Sequence, residues 1–138
     1  MAYAVGTVVA LVTALFARVT RLDRDRAFYP TVLVVIALYY ILFAVMGGSS
    51  QALRLESIQL AIFAVIAVVG FRSNLWWVVF GLAGHGVFDF AHAHLVANPG
   101  VPLWWPGFCL AADAVLAAIL AWLLYRRMIP AHSGSPSH

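Results

Sequence analysis

The chain has 138 residues, of which 64% are hydrophobic and 9% charged, with a formal net charge of +3. Soluble domains average about half apolar and about a quarter charged, so this composition excludes an ordinary water-soluble enzyme and points to lipid as the solvent. The positive balance comes from arginines at the borders of apolar runs, which needs no nucleic acid as a partner.

Several runs reach the roughly 20 apolar residues that a helix needs to cross about 30 Å of hydrocarbon, and none has the alternation of barrel strands. The expected fold is an all-α integral membrane protein, a single bundle of about five transmembrane helices over 3–17, 30–46, 53–71, 75–95 and 104–125. The first span has no basic residue before it and four arginines after it, Arg18, Arg21, Arg24 and Arg26, the opposite polarity to a cleaved secretory signal. The loop RVTRLDRDRAF that closes it reads as solvated, with Asp23 and Asp25 alternating with arginines. The second span carries Tyr39 and Tyr40 midway and ends in GGSSQ, residues 47–51, a tight turn. The third opens with Arg54 and Glu56, and Gln59 follows Glu56 at a spacing that puts both on one face.

The fourth span contains GHGVFDFAHAH, residues 84–94, the most polar stretch within any span. At 100° per residue, Asp89 lies about 40° from His85 and His92 about 20° on the other side, so the three share a face, while His94 points about 180° away. His94 is therefore expected at the membrane interface. Gly81, Gly84 and Gly86 invite a close helix crossing. NPGVP, residues 98–102, follows as a stiff, non-helical loop. The fifth span places Cys109 one turn before Asp113; a lone cysteine excludes an intramolecular disulfide framework. Residues 1–129 thus form the membrane domain, and PAHSGSPSH, 130–138, reads as a disordered tail whose His132 and His138 have no site role.

All eight basic residues are arginines, and seven of them (Arg18, Arg21, Arg24, Arg26, Arg72, Arg126 and Arg127) fall on one side of the five spans, with only Arg54 on the other. The positive-inside rule then puts the N-terminus outside and the C-terminus in the cytoplasm, in the plasma (inner) membrane if the source is bacterial. Trp76–Trp77 and Trp104–Trp105 sit where interfacial belts belong.

Within the spans the ionisable residues reduce to Glu56, His85, Asp89, His92 and Asp113. An aspartate at a helix centre costs roughly 2.5 to 3.5 kcal/mol on insertion scales, so such residues face the bundle interior and mark a site, a pathway or a partner. With a rise of 1.5 Å per residue, His85 falls near mid-membrane, and Asp89 and His92 lie about 6 and about 10 Å closer to the outer surface. Glu56 and Asp113 occupy the same outer half.

Asp89 and His92 match in spacing the carboxylate-x-x-His pairs of di-metal four-helix bundles, where further carboxylates come from other helices; Glu56 and Asp113 suit that part. His85 and His92 stand too far apart for one ion, so Asp89 goes with one of them or bridges two metals. Carboxylate and imidazole donors suit zinc, iron or manganese, and Cys109 would favour zinc or copper.

The expected metal ligands are His85, Asp89, His92, Glu56 and Asp113, and the expected catalytic acids Asp89, Asp113 and Glu56. The function they suggest is a metal-dependent intramembrane enzyme acting on a lipophilic substrate, in a chain suited to homo-oligomerisation. The alternatives are a proton- or metal-ion-conducting transporter component and a non-catalytic subunit that pairs its buried charges with a partner.

Overall fold

Five helices, α1 (Ala2–Thr20), α2 (Phe28–Met46), α3 (Ser50–Arg72), α4 (Trp76–Leu95) and α5 (Trp105–Tyr125), account for almost all regular structure in the computed structural model, which describes residues 1–134. Each matches an expected span to within three residues. Four of them, α1, α2, α3 and α5, are long and apolar enough to cross a membrane. α4 is equally long at 20 residues, but its histidines and Asp89 lower its hydropathy. Large apolar side chains point outward along the bundle, among them Val12 and Phe16 of α1, Val65 of α3, and Phe80, Val87 and Phe90 of α4. Water would penalise that surface, whereas lipid does not. The molecule is a helical membrane bundle.

The helix ends follow from local chemistry. Ser49 caps α3, its Oγ accepting from the Ala52 amide at 3.1 Å. Gly48, at φ 64°, supplies the left-handed residue that turns α2 into α3. Pro30 and Pro106 lie in the first turns of α2 and α5, where a missing amide proton leaves no gap in the helix ladder.

α1 packs on α5, α5 on α4, α4 on α3 and α3 on α2, and α2 returns to touch α4. α4 is thus the central element. Chain reversals put residues 47–49 and 96–104 at one end and the seven arginines at the other. Towards the arginine end the core is built from apolar side chains, with Leu33, Val78, Leu82, Leu116 and Leu120 all buried, and the Tyr29 hydroxyl is a buried polar atom there.

Two sequence expectations change at the arginine end. Asp23, expected in solvent, is only 2% exposed. A 3-10 turn, Leu22–Arg24, folds the loop back beneath α1 and α2, and Arg18 Nη1 meets Asp23 Oδ2 at 2.8 Å. Asp25 stays exposed and accepts from the Ala27 amide. Residues 130–134, assigned by composition to a disordered tail, lie against the α3–α4 turn. Leu75 donates to the Ala131 carbonyl at 2.9 Å, Asn74 and His132 form an isolated bridge, and Ser133 donates its amide to the Ser73 carbonyl at 3.1 Å. Arg26 ties the two segments together: Nη1 donates to the carbonyls of Pro130 and Ala131, and Nη2 to those of Gly70 and Phe71. The last two are free carbonyls at the end of α3, where a cation is favoured. His138 lies outside the described residues.

Candidate functional site

All five ionisable residues expected inside the spans are buried, at 0 to 3% exposure, whereas His94 is exposed. The helical phase assigned to α4 therefore holds. The structure divides the five into two groups at two levels, each straddling a different helix seam.

The deeper group lies between α4 and α5. His85 Nδ1 is 2.7 Å from Asp113 Oδ2 and 3.3 Å from Asp89 Oδ2. Nδ1 is the ring nitrogen that meets both carboxylates. Nε2 is buried with no partner, and so is Asp113 Oδ1; Asp89 Oδ2 has only the longer approach of His85. Gly86 makes this convergence possible. A Cβ there would meet Leu110 and Asp113 Cβ at 3.4 and 3.5 Å, so any longer side chain would push α5 and its carboxylate away. Phe63 and Phe88 close the surroundings, with ring centroids 4.8 and 5.9 Å from that of His85.

The shallower group lies between α3 and α4. His92 Nε2 is 2.7 Å from Glu56 Oε1, and the same oxygen accepts from Asn98 Nδ2 at 3.1 Å. Asn98 also donates to the Tyr40 carbonyl, so the 96–104 loop is bonded to both α2 and α3. Gly100 seats that loop: a side chain there would collide with the Phe43 carbonyl. Glu56 Oε2 and both polar atoms of Gln59 are buried without partners.

Tyr40 joins the two groups. Its hydroxyl donates to Asp89 Oδ1 at 2.6 Å, and its ring stacks on His92 at a centroid distance of 4.3 Å. The expected Asp89/His92 ligand pair is therefore not brought onto one point. Tyr40 stands beside both, Asp89 turns to His85 and Asp113, and His92 turns across to Glu56. Tyr39, considered beside Tyr40 in the sequence, is 40% exposed and packs on Trp105.

One group fits a metal ion. His85, Asp89 and Asp113 each offer a ligand atom, and these atoms lie within 4.8 Å of one another. Two carboxylates and an imidazole are donors for zinc, iron or manganese. Asp113 Oδ1 and Asp89 Oδ2 are buried oxygens that a cation would satisfy, and His85 Nδ1, the ring nitrogen that meets both carboxylates, would join them once it carries no proton. Cys109 is buried nearby but stands outside this group, so the thiolate that would favour copper is not in it.

Asn98 is the residue bonded to the candidate site that sequence reasoning missed. Its NPGVP setting signals a turn, and a turn asparagine ordinarily bonds its own backbone, as Asn98 Oδ1 does with the Gly100 amide. The presence of an unpaired acid at the same membrane level was the signal that could have singled it out. Compared with known proteins, the chain matches no family model, no curated protein and no solved structure.

Proposed function

We propose that the chain is an intramembrane enzyme that holds one divalent metal ion on His85, Asp89 and Asp113 and acts on a lipophilic or amphipathic substrate. The observation that carries this reading is the convergence of three fully buried ionisable side chains within 4.8 Å, with unpartnered atoms on each. Bound there, a divalent ion would supply a Lewis acid and an activated water. The chain's own part is to fix the ligands. Tyr40 holds Asp89 through its other carboxylate oxygen, and Phe63 and Phe88 exclude water around His85.

A through-going conduit is less well supported, because the apolar residues beyond His85 offer an ion nothing to replace its hydration. A subunit role built on pairing with a partner is also less well supported, since all five ionisable residues already meet partners within the chain.

Elemental analysis of the tag-free protein, supplied with zinc, iron or manganese, tests the reading. About one ion per chain is expected, and Asp89→Asn or Asp113→Asn should lose it. A folded wild-type protein that takes up none of the three overturns the proposal.

A further inference from the structure

We infer that the His85–Asp89–Asp113 centre receives its divalent cation only from the end of the bundle opposite the arginines, through a loading subsite formed by Glu56 and His92 behind the loop that Asn98 latches. The inference rests on the metal-binding reading above and adds a route and a second set of ligands to it.

A groove of about 630 Å3 opens at that end, lined by Ser49, Gln51, His92, Asn98 and Leu103 among others. His92 and Asn98 belong both to this groove and to the buried group behind it, because each reaches Glu56 Oε1. Glu56 is fully buried, yet its Oε2 has no partner, and neither has the amide of Gln59 one turn along α3. A carboxylate oxygen, an imidazole and the Gln59 amide oxygen can replace part of a cation's hydration shell as it leaves water. Further in, Tyr40 stacks on His92 and bonds Asp89, so the polar groups continue to the deeper centre.

The opposite approach is closed. Leu33, Val78, Leu82, Leu116 and Leu120 are each at most 3% exposed, and the one buried carboxylate beyond them among the described residues, Asp23, is engaged by Arg18. Seven of the eight arginines also stand at that end and repel a cation.

The test uses tag-free protein stripped by a chelator and reconstituted into liposomes of known insertion sidedness, with Zn2+ offered to one face at a time. Uptake from the Ser49/Asn98 face is expected to be at least about tenfold faster than from the arginine face. Glu56→Gln removes the carboxylate and should slow uptake by about tenfold, still filling the centre at equilibrium. Asn98→Ala frees the loop from Tyr40 and Glu56 and should speed it. General structural damage would move both variants in the same direction, and because Asn98 lies in a loop, its variant decides the matter if Glu56→Gln does not fold. Equal rates from the two faces overturn the loading route and leave the centre standing. So does a Glu56→Gln protein that loads as fast as wild type or never fills, or an Asn98→Ala protein that loads no faster than wild type. A wild-type protein that takes up neither zinc, iron nor manganese from either face overturns the centre, and the route with it.

Discussion

At the scale of single residues, the two groups make opposite predictions for the two buried histidines of α4. His85→Ala should abolish metal binding, whereas His92→Ala should retain the ion, since His92 pairs with Glu56 and not with the deeper carboxylates. Equilibrium metal content of the two purified variants checks this, and equal loss in both would contradict the division. Tyr40→Phe removes the hydroxyl that donates to Asp89 and should destabilise the bundle by about 1 kcal/mol, within the range measured for hydrogen bonds between membrane helices, as read from unfolding in detergent. The residue types and their depth were legible in the sequence because ionisable groups in lipid are costly and few. The pairing was not. Spacing along one helix puts Asp89 and His92 on the same face, but partners on neighbouring helices decide which way each side chain turns, and Glu56 and Asp113 arrive on opposite sides of α4.

At the scale of helices and loops, close approach at glycines sets how near the ligands come. Gly86→Leu should drive α4 and α5 apart at Leu110 and Asp113, with a cost of about 1 to 3 kcal/mol and loss of the ion, while Gly86→Ala, whose Cβ would sit at ordinary contact distance, should keep it. Gly84→Ala, which meets only Phe63 at 3.9 Å, should be neutral. Thermal unfolding and metal content of the three variants together test the seam. Helix positions could be read directly from hydropathy and arginine borders. The sequence marked Gly81, Gly84 and Gly86 equally, and only the orientation of α4 against its neighbours shows that Gly84 lies on the exposed side.

At the scale of the whole molecule, Arg26 joins the end of α3 to residues 130–134, beside the backbone bonds from Leu75 and Ser133. Arg26→Ala removes donors to four carbonyls in two segments and should destabilise the protein by about 2 kcal/mol, while exposing residues 130–134 to added protease. Protease resistance equal to wild type would show that the clasp is dispensable. This fastening was not legible because a Pro, Gly and Ser composition reports only the lack of local structure. It carries no information about a side-chain donor supplied 104 residues away in the chain. Orientation is open to a direct check: in a cysteine-free background, Ser49→Cys should be labelled by an impermeant maleimide from outside intact cells and Ser133→Cys should not.

The central position of α4 also bears on how the protein is made. α4 is the one helix that does not qualify as a membrane span by its own hydropathy, and its stabilising partners emerge from the ribosome at different times. Glu56 precedes His92 by 36 residues and is already in place when α4 appears, but Asp113 follows His85 by 28 residues. Until α5 is synthesised, His85 lacks the Asp113 carboxylate, while Asp89 already has the Tyr40 hydroxyl of α2. The deeper group is therefore complete only once α5 has been made, whereas His92 can meet Glu56 as soon as α4 has been.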